Sequence, residues 1–129
     1  MRPKRVLIVE DNPDTRTIYS LILRHHGYDA VEATDGSQGV ERAIETRPDL
    51  ILMDLSMPIL DGWGANEKLK EDERTAGIPV VMVTAHAAVV TEKRVKEAGF
   101  TSLLLKPLET KRLLREVERL IGPATNAVS

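Results

Sequence analysis

Two kinds of hydrophobic pattern alternate along the chain. Four stretches are short and continuously apolar: Val6-Leu7-Ile8-Val9, Leu50-Ile51-Leu52-Met53, Val80-Val81-Met82-Val83 and Leu103-Leu104-Leu105. Runs of this kind fit strands covered on both faces, as in parallel sheets with helices on either side. A fifth stretch, Tyr28-Asp29-Ala30-Val31-Glu32-Ala33, alternates instead and reads as an edge strand with one wetter face.

Helical spacing fills the intervals. Asn12-Pro13 supplies a cap followed by proline at the first helical position, and Ile18, Leu21, Ile22 and His25 fall at i, i+3, i+4 and i+7, predicting a buried stripe that Gly27 ends. Val40, Ala43 and Ile44 mark a second helix over 37–46, closed by Pro48, and Ala65 and Leu69 mark a short third after Asp61-Gly62. A fourth, weakly amphipathic helix is expected over 89–98. The fifth is the clearest: Leu113, Leu114, Val117, Leu120 and Ile121 form one stripe, starting near Glu109 and stopped by Gly122-Pro123.

Strand and helix thus alternate five times. The expected fold is α/β, a (βα)5 doubly wound parallel five-stranded sheet with right-handed crossovers. One domain over 1–122 is expected, with 123–129 as a disordered tail.

Composition narrows the possibilities. Apolar residues make up 42%, yet only Tyr19, Tyr28, Trp63 and Phe100 are aromatic, so the core must be built from small branched side chains. The absence of cysteine excludes disulfide scaffolds, thiol catalysis and cysteine-ligated metal. A formal charge of -2 leaves no basic field to draw the chain to nucleic acid or an anionic membrane. The apolar run after Met1-Arg2-Pro3-Lys4-Arg5 is far shorter than the ~7–15 residues of a secretory signal, and no stretch approaches the ~18 of a membrane span. A cytoplasmic protein is expected.

Open α/β sheets bind ligands beyond the carboxyl ends of their strands. The polar residues that follow the apolar runs are Glu10-Asp11, Asp54, Thr84 and Lys106-Pro107. Each has an ordinary explanation alone: Asp11-Asn12 as a helix cap, Asp54 in a capped turn, threonine as a strand former, lysine as a neutralising cation. Their coincidence at four strand ends points to one shared site. Three carboxylates without histidine or cysteine favour Mg²⁺. A carboxylate attacking phosphorus forms an acyl phosphate, with cation, ammonium and hydroxyl arranged around the phosphoryl oxygens. Asp54 is the expected nucleophile, because its strand lies between the acidic pair and Thr84.

The motifs Val6-Leu7-Ile8-Val9-Glu10-Asp11-Asn12, Asp49-Leu50-Ile51-Leu52-Met53-Asp54-Leu55-Ser56-Met57-Pro58 with Asp61-Gly62, Ile78-Pro79-Val80-Val81-Met82-Val83-Thr84-Ala85 and Lys106-Pro107 resemble the receiver domain of two-component response regulators, the CheY-like fold. The resemblance spans residues 4–121 and implies strand order 2-1-3-4-5. It implies that Asp54 is phosphorylated from a phosphohistidine of a sensor kinase or histidine phosphotransfer protein. Mg²⁺ would be held by Asp11, Asp54 and the backbone carbonyl of Ser56, with Glu10 acting through water. Thr84 and Lys106 would contact the phosphoryl group, the Lys106-Pro107 bond would be cis, and Ser56 and His86 would border the attacking water.

On this resemblance the chain is a stand-alone signalling phosphoacceptor, similar to single-domain chemotaxis and DivK-type cell-cycle regulators. It would catalyse only its own phosphorylation and dephosphorylation. Its output would be protein contact through the fourth helix, last strand and fifth helix, as a monomer or weak dimer without direct nucleic-acid binding. Two alternatives are a phosphorylation-independent scaffold, against which the complete residue set argues, and an aspartyl-phosphate phosphatase, which wants an aspartate where Ser56 stands. A flavodoxin-like binder would need a Ser/Thr-rich loop where Glu10-Asp11 lie.

Arg16, Ser20 and Leu23 are expected to face the phosphodonor helix. Lys111, Arg112, Arg115 and Arg119 are interspersed with Glu109, Glu116 and Glu118 and read as a solvated face. Leu103 stands where receivers usually carry a tyrosine or phenylalanine, and Phe100 is out of register to replace it, so an atypical output change is expected.

Overall fold

The computed structural model describes residues 2–55, 61–85 and 91–124. Its elements are β1 (Arg5–Val9), α1 (Pro13–His25), β2 (Asp29–Ala33), α2 (Gly36–Thr46), β3 (Leu50–Asp54), α3 (Gly62–Glu71), β4 (Val80–Thr84), α4 (Glu92–Glu97), β5 (Ser102–Leu105) and α5 (Thr110–Ile121). The strands pair in parallel in the order β2-β1-β3-β4-β5.

The continuous apolar runs do what their pattern implies in the three inner strands, where Val6 to Val9 and every residue of β3 and β4 are buried. Alternate side chains serve opposite faces. Ile8, Leu52 and Val83 join Leu23 of α1 and Leu113 and Val117 of α5 on one side. Leu7, Val9, Ile51 and Met82 join Ala43 of α2, Leu69 of α3 and Val95 of α4 on the other. Each such enclosed side chain contributes roughly 1.5–3 kcal/mol.

β5 departs from expectation. It is an edge strand, with Leu103 half-buried and Leu105 48% exposed, so its leucine run is not covered on both faces. An apolar run alone cannot reveal which strand takes the edge of the sheet. β2 is the other edge, as its alternation indicated.

α1 departs more sharply. The buried residues are Tyr19, Ser20 and Leu23, whereas Ile18 and Leu21 are 53% and 59% exposed and His25 is exposed too. Apolar residues surround this helix, so two stripes compete, and the stripe through Ile18 and Leu21 is the one that faces water. The expected phosphodonor contacts of Ser20 and Leu23 are therefore overturned, since both side chains are enclosed. Arg16 is also engaged internally, its Nε donating to Glu32 Oε1 at 3.1 Å and an Nη1–H donating to the Glu10 carbonyl at 2.9 Å.

The helix ends follow their sequence signals. Asn12 Oδ1 accepts from the backbone N–H groups of Asp14 and Thr15, both at 3.0 Å, which leaves Asp11 uncommitted to capping. Asp61 caps α3 by accepting from Gly64 N at 2.9 Å. The expected start of the fourth helix, 89–90, lies outside the described residues. Packing continues past Gly122: Ala124 is buried, and its carbonyl accepts from Lys4 N at 2.7 Å. Positions 125–129 lie outside the described residues.

Candidate functional site

The parallel register brings the polar strand ends to one edge. Asp54 closes β3 opposite Val83 of β4, and β1, beside β3, runs directly into Glu10 and Asp11. One carboxylate oxygen from each of Glu10, Asp11 and Asp54 lies within 4.8 Å of the others. Glu10 and Asp54 are buried while Asp11 is exposed, so the cluster has a dry base and a wet rim.

Lys106 reaches this cluster from the opposite side. Its backbone N–H donates to the Thr84 carbonyl at 2.8 Å, which extends the β4–β5 ladder by one residue and fixes where the side chain begins. Its Nζ donates to Glu10 Oε1 at 2.5 Å and stands 3.6 Å from Asp54 Oδ1. The Lys106-Pro107 peptide bond is cis. Thr84 sits at the end of β4 with no exposed surface. Ser56 and His86 lie outside the described residues.

One ammonium among three carboxylates leaves the charges unbalanced. Burial, then the negative charge of Glu10 and a hydrogen bond to it, push the Asp54 carboxyl up to about 7. Burial also works against the charge on Glu10, but hydrogen bonds from Lys106 and Asp54 outweigh it and hold that carboxyl below the ordinary range. Lys106 is desolvated as well, and Glu10 and Asp54 more than offset this, so its ammonium is held above the usual value. Of the two neighbouring carboxyls, Asp54 is therefore the one that holds a proton more tightly than an ordinary carboxylate, next to an ionised Glu10. The donor set fits a hard divalent cation: oxygen only, anionic, convergent and open to water on the Asp11 side.

Two features of the site are not apparent from residue type alone. Gly62 opens α3 so close behind β3 that a Cβ there would stand 2.4 Å from the Asp54 carbonyl oxygen, and its N–H donates to the Leu55 carbonyl at 2.9 Å. The sequence marked Asp61-Gly62 as a helix start and gave no hint of this backbone contact. Tyr19 lines the inner wall of the site with Glu10 and Asp54, and also the groove between α1 and the Lys106-Pro107 turn.

Leu103 packs partly against the α2–α3–α4 side of the core and lines a cavity of about 310 Å³ bordered by Val95, Lys96, Arg112 and Glu116. Phe100 is buried elsewhere, edge-on to Trp63 at 5.6 Å, and the Arg94 guanidinium lies 5.0 Å over the Trp63 ring. The basic residues of α5 are interspersed with acids as expected, and Glu116 accepts from Arg119 at 2.5 Å.

A carboxylate cluster with a lysine at the carboxyl edge of a doubly wound sheet defines a class, and the family comparison names it: the response regulator receiver domain model matches residues 6–118, and the chain belongs to that family. Its members are signalling proteins. The polar-differentiation response regulator DivK of Brucella anthropi is 34% identical over 122 residues, covering 95% of this chain and 99% of DivK. The DNA-binding dual master transcriptional regulator RpaA of Synechocystis is 37% identical over 117 residues, but this chain spans only 48% of its length.

Among solved structures, Vibrio cholerae chemotaxis protein CheY4 superposes with a TM-score of 0.85 at 27% identity, covering 91% of this chain and 98% of that one. The receiver domain of the Pseudomonas aeruginosa sensor histidine kinase PA1611, determined with a magnesium ion coordinated in the active site cleft, superposes with a TM-score of 0.83 at 35% identity, covering 92% and 98%.

Proposed function

We propose that this receiver accepts a phosphoryl group on Asp54 from a phosphohistidine and signals through protein contact, as a regulator of the DivK kind. The observation that carries the reading is the placement of Asp54: buried, 3.6 Å from the Lys106 ammonium and within 4.8 Å of two further carboxylates. In the transfer, an Asp54 carboxylate oxygen forms a bond to phosphorus as the phosphorus–nitrogen bond to the donor imidazole breaks, and the imidazole takes up a proton. The attacking form of Asp54 is the ionised carboxylate, which the raised proton affinity of the cluster disfavours until a cation is present. Lys106 then turns its ammonium to the phosphoryl oxygens, and Thr84 offers its hydroxyl to them from the end of β4.

Mg²⁺ would be held by Asp11, Asp54 and the Ser56 carbonyl, with Glu10 acting through water, and when bound it would neutralise charge on the phosphoryl oxygens. Support comes from the convergence of the three carboxylates and from the magnesium bound in the cleft of the PA1611 receiver.

The phosphodonor, a sensor kinase or histidine phosphotransfer protein, would approach over α1. There Ile18 and Leu21 are exposed, and an apolar groove of about 400 Å³ runs past Thr15, Ile18 and Pro107. The downstream target would read α4, β5 and α5, with Leu103 in place of the usual ring; a Leu103→Tyr variant is expected to alter target affinity or its dependence on phosphorylation. A cytoplasmic location goes with this reading, and no helix among the described residues is long and apolar enough to cross a membrane.

Incubation with Mg²⁺ and acetyl phosphate tests the central claim. The wild type is expected to gain one acid-labile phosphoryl group by mass, and Asp54→Asn none. Equal incorporation by the variant would overturn the assignment.

A further inference from the structure

β1 ends at Val9, and the residues that follow it, Glu10 and Asp11, carry two of the clustered acids. Glu10 still pairs with the sheet through its N–H, which donates to the Ala33 carbonyl at 3.1 Å. There β2 stops, and the chain turns into α2 at Gly36. Among the described residues no backbone N–H meets the Glu10 carbonyl, although backbone groups at such a place need a partner.

An arginine supplies it. Arg16, in the first turn of α1, donates from Nη1 to the Glu10 carbonyl at 2.9 Å and from Nε to Glu32 Oε1 of β2 at 3.1 Å. Its backbone N–H donates to the Asn12 carbonyl at 3.0 Å, and its side chain is only 17% exposed. The guanidinium is thus held at both ends, by the helix that carries it and by the edge strand it reaches. The turn between β1 and α1 is closed across by one side chain.

That turn sets the direction of Asp11. A peptide group is planar, so its atoms move together from one Cα to the next, and fixing the Glu10 carbonyl fixes the plane from which Asp11 begins. Glu10 has a second anchor in the Lys106 ammonium at 2.5 Å, and Asp54 is held in β3. Asp11 lies between strand and helix and is exposed, so its placement depends on the turn more than that of the other two acids.

Charge alone would give Arg16 the opposite effect. A guanidinium near a cation site repels the cation, and removing it should tighten binding. The largest electrostatic influences on Glu10 and Asp54 come from Lys106, Asp11 and each other. What Arg16 contributes is geometry, and groups behind a metal's ligands commonly matter for affinity in this way.

We propose that Arg16 is a positioning residue for the cation site, its bond to the Glu10 carbonyl aiming Asp11 at the metal shared with Asp54, with Glu32 holding the guanidinium in place. The proposal rests on the Mg²⁺ reading above. It adds a group that would touch neither the metal nor the phosphoryl group.

The test titrates metal-free wild type, Arg16→Met, Arg16→Lys and Asp54→Asn with Mg²⁺ alone in a calorimeter. Arg16→Met keeps an apolar stem and loses the donor, and should bind Mg²⁺ about tenfold more weakly. Arg16→Lys can still donate to the carbonyl and should stay within about threefold of wild type. In acetyl phosphate labelling the Mg²⁺ concentration at half-maximal rate should rise about tenfold for Arg16→Met, with the maximal rate unchanged. Tighter Mg²⁺ binding by Arg16→Met would mark a role through charge, and an unchanged dissociation constant with a lowered thermal midpoint would mark a packing role. Either result overturns the proposal, as does equal weakening in the methionine and lysine variants. If the wild type binds no Mg²⁺, or Asp54→Asn binds it equally well, the metal reading itself fails and the role of Arg16 falls with it. If those two behave as expected and only the Arg16 comparison fails, the metal reading stands.

Discussion

The two ends of the sheet are built on opposite electrostatic rules. At the amino end Arg5 is surrounded by complementary groups: its backbone N–H donates to Asp49 Oδ2 at 2.8 Å, its Nε to Asp29 Oδ2 at 2.6 Å and its Nη1 to the Thr46 carbonyl at 2.6 Å. Lys4 reaches the Ile121 carbonyl, and Tyr28 reaches Gly122, so the end of α5 is tied to the first strand. At the carboxyl end Glu10, Asp11 and Asp54 share one lysine, and Asp54 retains its proton to about pH 7. The amino rim is closed by charges already paired within the chain. The carboxyl rim holds a mismatch that a cation would relieve, and local inconsistency of this kind is where a fold gives up stability for function.

The largest expected effect tests how tightly the carboxyl rim is built. Gly62→Ala would place a Cβ 2.4 Å from backbone at Asp54, so the chain must shift, and unfolding free energy should fall by about 3 kcal/mol. Gly77→Ala, with nothing within 4 Å of its Cβ, is the control and should change stability by less than about 0.5 kcal/mol. Equal denaturation midpoints for the two variants would remove the claim that α3 is pressed against the site.

Next comes the sign of the charge imbalance. An acid whose folded-state pKa is raised binds its proton more tightly when folded, so its contribution is fully present below the ordinary carboxylate range and is lost as pH rises through about 7. Asp54→Asn should therefore gain on the wild type by about 2–3 kcal/mol between pH 5 and pH 8 in metal-free buffer. At the amino rim the effect should be reversed. Arg5→Met loses two side-chain hydrogen bonds at a half-exposed position and should cost about 1 kcal/mol. Urea unfolding at the two pH values measures both, and a destabilised Asp54→Asn at pH 8 would break the contrast between the rims.

Cation binding should relieve the mismatch directly. At free Mg²⁺ ten times its dissociation constant the wild type should gain about 1.4 kcal/mol. The affinity should weaken below pH 7, because the metal competes with the Asp54 proton. Asp54→Asn should lose most of this response, as read by thermal melts in Mg²⁺ and in chelator.

The contrast also marks what could be read before any coordinates. The inner strands were legible because burial on both faces leaves an unbroken apolar run. Glu10, Asp11, Asp54, Thr84 and Lys106 were legible because parallel strands deliver their carboxyl ends to one edge. Gly62 was not, since its importance lies in a distance to the backbone of a residue eight positions away. The exposure of Leu105 was not, since edge position depends on pairing rather than on side chains. α1 was misread because Ile18, Tyr19, Leu21, Ile22 and Leu23 offer two apolar stripes, and which stripe is covered depends on the helix's rotation over β1, which its composition leaves open.

That rotation supports the smallest prediction. Leu21 is 59% exposed on α1, so Leu21→Ser should change stability by less than about 0.5 kcal/mol, where an enclosed leucine would cost several times more. The residue lies outside the carboxylate cluster, so labelling by acetyl phosphate should match the wild type. Transfer from a phosphorylated histidine phosphotransfer protein should slow, because on the proposed reading a protein donor would rest on the α1 surface where Leu21 and Ile18 are exposed. Unchanged transfer from the protein donor would move the docking surface off this face of α1 while leaving the Asp54 chemistry untouched. A loss of stability would instead return Leu21 to the core and reverse the orientation of the helix.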